Sequence, residues 1–196
     1  MHRKLLALAA LALASGASSA ANVALGGTVS TTGTDFGNSG GWCCGSLAGL
    51  STVTDGVFLP IGTQWNTGTV FWSTGSFGAD TVTIDLAHTS VVSGITLEAD
   101  NNDDYGISYR DTVGTWHSLA TVSPHRSWGM DMGSATFAPV TATAFAITAV
   151  GGDGYFAVSE FQADGRVVPG VPEPETYALM LAGLGVVGWM ARRRQR

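Results

Sequence analysis

Thr81-Val82-Thr83-Ile84-Asp85-Leu86 alternates without a break, which puts Val82, Ile84 and Leu86 on one face of an extended strand. Runs of the same kind recur at 91–98, 106–109, 116–122, 144–150 and 155–162, with Asn-Asp, Gly-Gly and Ser-Pro clusters between them that read as turns. Between residues 22 and 170 no stretch sustains a 3.6-residue apolar period with helix caps. Short strands punctuated this often specify an all-β fold, an antiparallel β-sandwich of jelly-roll type. Composition agrees. Charged residues make up 12%, about half the usual ~25%, and lysine occurs once, which excludes a coiled coil or helical bundle. A hydrophobic fraction of 45% is too high for a disordered chain.

The formal net charge of −6 conceals its layout. Six of the nine basic residues lie at the ends: Arg3, Lys4, Arg192, Arg193, Arg194 and Arg196. Between Asn22 and Gly170 only Arg110, Arg126 and Arg166 face thirteen carboxylates, a balance of −10. An acidic body of this kind excludes nucleic acid as a partner, and cationic ends point to processed or anchored termini.

His2, Arg3 and Lys4 precede ten apolar residues, Leu5 to Ala14, and then small residues. Ser18-Ser19-Ala20 or Ser19-Ala20-Ala21 fits a small-x-small cleavage site, so residues 1–21 read as a secretory signal peptide. Ten apolar residues are too few for a bilayer core of ~30 Å. At the other end, Val171-Pro172-Glu173-Pro174-Glu175 leads into an apolar run from about Tyr177 to Ala191 and then Arg192-Arg193-Arg194-Gln195-Arg196. Proline is excluded from a helix interior, so a helix is expected over about 177–191. Its length is slightly short of a full span, which snorkelling arginines make up. The positive-inside rule keeps those arginines cytoplasmic and the body outside.

This ending resembles the PEP-CTERM sorting signal of Gram-negative bacteria, with Pro172, Glu173 and Pro174 as the motif. The resemblance implies recognition and processing by an exosortase, a membrane transpeptidase, and association with exopolysaccharide. It implies export through the inner membrane, transient anchoring by the C-terminal helix, and delivery to the cell surface or extracellular matrix. Three segments are thus expected: 1–21, a β-sandwich body at 22–170, and the sorting signal at 171–196.

Within the body, Thr54-Asp55-Gly56, Trp65, Trp72, the strand at 81–86 and Val92-Ser93-Gly94-Ile95-Thr96-Leu97 follow in order. Tyr105-Gly106-Ile107-Ser108-Tyr109, Gly114-Thr115-Trp116 and Ala157-Val158-Ser159-Glu160-Phe161-Gln162 complete the succession. It resembles the discoidin, or coagulation-factor C-type, domains of the galactose-binding-like jelly rolls, from roughly Thr52 to Gly165. The resemblance implies a structural Ca²⁺ held by Asp55 and Glu160, with an Asx turn at Asp55 and an arginine partner for Glu160 as the alternative. It also implies that Trp116 is a core tryptophan.

Other candidates come from the residues themselves. Asp100, Asn102 and Asp104 occupy positions 1, 3 and 5 of an EF-hand-like loop with hard oxygen ligands suited to Ca²⁺, but Tyr105 stands where that loop needs glycine. A solvated hairpin loop is the competing reading. His125, Arg126 and Trp128 share one loop, and an aromatic face beside charged groups is the chemistry of a sugar-binding surface. A half-buried, structural Trp128 is its alternative. Cys43 and Cys44 are adjacent, and a bond between neighbours is strained because their Cα atoms lie about 3.8 Å apart. A strained vicinal disulfide, two free thiols and an intermolecular bridge all remain open. No Gly-x-Ser-x-Gly, His-Glu-x-x-His or P-loop occurs. The expectation is therefore a non-catalytic glycan-binding protein of the surface or matrix. A structural matrix protein without a specific ligand is the alternative, and a glycosidase carboxylate pair is a distant third.

Overall fold

The structure, a computed structural model, describes residues 20–169 apart from Cys44 and Ser76, together with a helix at 174–193. Residues 1–19 of the expected signal peptide and the motif residues Pro172 and Glu173 lie outside the described residues. Among the described residues nine strands form: β1 (Ala21–Asn22), β2 (Thr28–Thr32), β3 (Ser46–Leu47), β4 (Thr67–Ser73), β5 (Thr81–Asp100), β6 (Asp104–Arg110), β7 (Trp116–Val122), β8 (Met130–Gly151) and β9 (Tyr155–Val167). A 3-10 helix, Leu50–Thr54, lies between β3 and β4, and α1 (Pro174–Arg193) ends the chain.

Two strands, β5 and β8, are long enough to serve both layers of a sandwich. The first part of β5, residues 81–85, pairs with β2 on one side and with residues 144–148 of β8 on the other. That half of β8 continues to β6, and β6 to β7. The second part of β5, residues 90–100, pairs with β9 and with residues 130–142 of β8, and β9 continues to β4 and β3. Register breaks between Asp85 and Ser90, where β5 turns the corner between layers, as strands that switch sheets do. Pairing is antiparallel except for the two-residue β3. This is the expected sandwich.

The layers close on one core drawn wholly from between Ala24 and Ala163. Val82, Ile84, Ile107 and Ile147 meet Val70, Leu97, Phe156 and Phe161 in a single cluster of buried side chains. Aromatic contacts cross the gap: Phe145 lies 5.2 Å from Phe161, and Trp72 lies 6.4 Å edge-on to Tyr105. Trp72, not Trp116, is the core tryptophan. Trp116 is 43% exposed and lies beneath the Arg110 guanidinium, because β7 is an edge strand with little above it.

Two strand segments carry no alternating signal, for different reasons. In β4, Thr69, Val70, Phe71 and Trp72 are all buried, since Phe71 turns away from the main core into a second cluster with Trp65, Met130 and Ala157. The first half of β8 contains Gly133 and an exposed Pro139. That half pairs only with β5, so the missing N–H of Pro139 breaks no ladder bond.

Helix α1 begins three residues earlier than expected, with Pro174 in the first position, where its absent N–H would have had no partner anyway. Leu179, Leu181, Leu184, Val186, Trp189 and Met190 are all at least half exposed and take no part in the core. Among the described residues no helix is long and apolar enough to cross a membrane.

Candidate functional site

The ends of β4 and β5 and the starts of β6, β8 and β9 meet at one end of the sandwich. Five loops gather there, and they enclose a cavity of about 190 Å³. Its walls are aromatic: Trp42, Trp65, Trp128 and Tyr155. Gln64, Asn101 and Asn102 supply amides, and Asp100 and Asp153 supply carboxylates. The volume is below the ~300–1,000 Å³ of drug-sized pockets, which suits one ring at the end of a chain.

The aromatic residues are held from different loops. Tyr155 lies 5.6 Å from Trp65 and 6.2 Å from Trp42, so the three form a continuous wall. Trp65 is anchored by Phe71 edge-on at 5.4 Å and by the Thr69 hydroxyl, which donates to its carbonyl. Trp42 sits on a turn closed by Ser39, whose hydroxyl donates to the Trp42 carbonyl at 2.8 Å.

Trp128 depends on a carboxylate. The buried Asp131 accepts the N–H groups of Arg126 and Ser127 at 2.7 and 2.8 Å, which folds loop 123–129 back over the start of β8. Gly129 completes the bend. Its φ is +68°, and a Cβ there would collide with the Thr63 carbonyl. Its N–H reaches Asn101 Oδ1 at 3.0 Å, tying the loop to the cavity floor. Trp128 itself stays 68% exposed, an indole that nothing in the fold covers.

Beneath the cavity lies an acidic group that the fold has taken out of water. Burial pushes Asp100 up to about 6. Burial and the neighbouring Asp100 charge push Asp103 up to about 8, so Asp103 holds its proton at neutral pH. Asp103 accepts the Asp153 N–H at 3.2 Å, and its other oxygen lies 3.2 Å from the Tyr105 hydroxyl. That hydroxyl crosses the core to β9, accepting the Ala157 N–H at 3.2 Å and lying 3.1 Å from the Ala157 carbonyl.

Of the three loop residues expected to bind ligand, only Trp128 lines the cavity. His125 turns to the Asp103 carbonyl at 3.2 Å and to Asp104 at 3.6 Å, and the side chain of Arg126 is outside the lining. Asp100, Asn102 and Asp104 are not gathered as a ligand set. Asp104 accepts the Ser123 hydroxyl, Asn102 donates to Asp153 at 2.8 Å, and Tyr105 is buried in the core. The chain therefore leaves the loop as a strand at the position where an EF-hand would wrap its ion. Trp42, Trp65, Gln64, Asp153 and Tyr155 were not singled out from the sequence as one site; single aromatics in separate loops carry no pattern that marks them as neighbours.

Elsewhere, Asp55 makes an Asx turn, accepting the Val57 N–H at 2.8 Å, and the adjacent Gly56 N–H donates to Glu160 at 3.2 Å. Among the described residues Glu160 has no arginine partner; Gln162 donates to its other oxygen at 3.2 Å. Glu98 stands directly opposite Glu160 across the β5–β9 ladder, and both are buried. Oε2 of Glu98 accepts from Leu59 N–H and Ser159 hydroxyl, while its Oε1 is buried with no partner. Among the described residues no group of three or more His, Cys, Asp and Glu side chains is gathered at metal-binding spacing. Cys43 is exposed, and Cys44 lies outside the described residues.

Residues 170–194 match the PEP-CTERM protein-sorting motif, so the chain carries that signal at its C-terminus. No curated protein matches the chain. Among solved structures it is similar to chitosan-binding module 1 of a chitosanase/glucanase from Paenibacillus sp. IK-5, at 19% identity over 73% of this chain and 98% of that one, TM-score 0.48. It is also similar to the family 32 carbohydrate-binding module of Clostridium perfringens NanJ, at 19% identity over 70% and 92%, TM-score 0.45. A third is a module from Clostridium perfringens solved with GalNAc-β-1,3-galactose, at 16% identity over 69% and 94%, TM-score 0.45.

Proposed function

We propose that this is an exported, non-catalytic glycan-binding protein, sorted by its C-terminal signal to the cell surface or an exopolysaccharide matrix. The cavity at the end of the sandwich carries the reading. Exposed Trp128 and Trp42 offer faces on which a sugar ring stacks, and Gln64, Asn101 and Asn102 offer amides to its hydroxyls. The wall is preformed by packing and backbone bonds, so little ordering opposes binding.

The strand directions suit that role. Tyr155, at the start of β9, lines the cavity, and Val167, at its end, leads toward the sorting motif. Thirteen strand residues at about 3.3 Å each separate the two by ~40 Å. A sandwich held by its C-terminal helix would present the cavity away from the bilayer. In this reading the C-terminal segment holds the protein at the membrane transiently, with Arg192 and Arg193 on the cytoplasmic side, until an exosortase acts near Pro172-Glu173-Pro174.

A structural calcium ion beside the buried carboxylates on β5 and β9 is part of the proposal. Two glutamates directly opposite on one sheet face repel, and here both are out of water with one oxygen unpartnered. Asp55 and Glu160, with backbone carbonyls, would hold the ion, which would supply positive charge that the chain itself does not place there. Its role would be structural.

A glycan array probed with the full chain in detergent tests the proposal. Saturable binding to one glycan class, lost in Trp128→Ala, is expected. No binding to any glycan would remove it and favour a matrix protein without a specific ligand.

A further inference from the structure

The cavity has a charge that stacking on neutral sugars leaves unexplained. Asp100 and Asp153 both line it, and no lysine, arginine or histidine does. Asp100 is 95% withdrawn from solvent, with 5% of its surface left. Among the described residues the only hydrogen bond to its carboxylate is from the adjacent Asn101 N–H to Oδ1, at 3.0 Å. A carboxylate so placed has lost its water without gaining a cation, and a cationic group entering the cavity would restore its pairing. Arg126 sits on the loop that bears Trp128 but lies outside the lining. The opposite wall is made of Trp42, Trp65, Trp128 and Tyr155, whose faces attract cations.

We infer that the cavity selects sugars bearing a free amine, with the ammonium group seated between Asp100 and the tryptophan faces. The inference rests on the glycan-binding reading above and deepens it. Neutral and N-acetylated rings stack on the same indoles but leave Asp100 unpaired. Uronic acids bring a second negative charge beside Asp100 and Asp153 and are rejected.

Isothermal titration of the full chain in detergent micelles, with β-1,4-linked glucosamine, N-acetylglucosamine and uronic-acid oligomers of equal length, tests this. One charge-assisted hydrogen bond contributes enough for about tenfold tighter binding or more. The glucosamine oligomer is expected to bind at least that much tighter than its acetylated counterpart, and the uronic-acid oligomer weakest. Asp100→Asn removes a charge and keeps the shape, and it is expected to erase the difference between amine and acetylated ligands. Asp153→Asn, at an exposed position, is expected to shrink that difference and serves if the first variant folds poorly. Equal or tighter binding of the acetylated oligomer would overturn the amine preference while leaving glycan binding intact. Failure of all three oligomers together with an empty glycan array would overturn both readings.

Discussion

Removing the Asp131 carboxylate should both destabilise the sandwich and abolish its binding surface, because one side chain holds the loop that carries Trp128. Asp131 is buried and takes two N–H bonds from the loop, from Arg126 at 2.7 Å and Ser127 at 2.8 Å, plus that of its neighbour Met132 at 2.8 Å. Hydrogen bonds to a charged acceptor contribute about 1.5–3 kcal/mol each. The two loop bonds therefore set an upper bound of about 6 kcal/mol. Arg126 is exposed and Ser127 half-buried, so both N–H groups regain water once the loop opens, and Asp131 no longer repels Glu98. A net loss of about 2–3 kcal/mol is left for Asp131→Ala, which lowers Tm by roughly 5–10 °C in a domain of this size. Asp131→Asn keeps one acceptor oxygen and should lose about half as much. Circular dichroism melts at pH 7 measure the first quantity, and titration with whichever glycan the array identifies measures the second. An unchanged melt in Asp131→Ala, or unchanged glycan affinity, would refute the claim that this carboxylate organises the loop.

Other outcomes follow from the same contacts. Burial, with Asp55 and Glu98 adding to it, raises Glu160 from 4.5 to about 7. A carboxyl with a raised folded pKa favours the native state at low pH, and that advantage is lost as pH climbs from about 4.5 through 7, by about 3 kcal/mol for Glu160. Melts in EDTA should therefore fall between pH 5 and 8, and calcium in excess should restore the midpoint at pH 8; a midpoint indifferent to calcium would count against the ion. Tyr105→Phe leaves the buried Ala157 N–H and Asp103 without their shared partner, and should lower stability by about 1–3 kcal/mol in urea unfolding. Mass spectrometry of the surface protein should find a chain ending near Val171, and intact terminal arginines would argue against processing.

How much was legible in the sequence depended on whether a residue's role was local. Val82 and Ile84 announce their strand because one face of it is core and the other is not. Phe71 and Trp72 hide theirs, since β4 is covered on both sides and shows no alternation. The sorting signal could be read whole because its three parts are contiguous. The cavity could not: Trp42, Trp65, Trp128 and Tyr155 are brought together only by strand register. Position in sequence also misassigned neighbours. His125 and Arg126 adjoin Trp128 along the chain, yet the turn that Asp131 imposes sends their side chains elsewhere. Glu98 was passed over for the opposite reason, since only the β5–β9 pairing shows it facing Glu160.

The central claim is that the end of the sandwich lined by Trp128 binds sugar. Nuclear magnetic resonance titration of the ¹⁵N-labelled chain in detergent micelles, with the glycan that scores best on the array, tests it most directly. The indole N–H signals of Trp42, Trp65 and Trp128 should shift together and saturate, while those of Trp72 in the core and Trp116 on the β7 edge stay in place. Shifts confined to Trp116, or none at all, would contradict it.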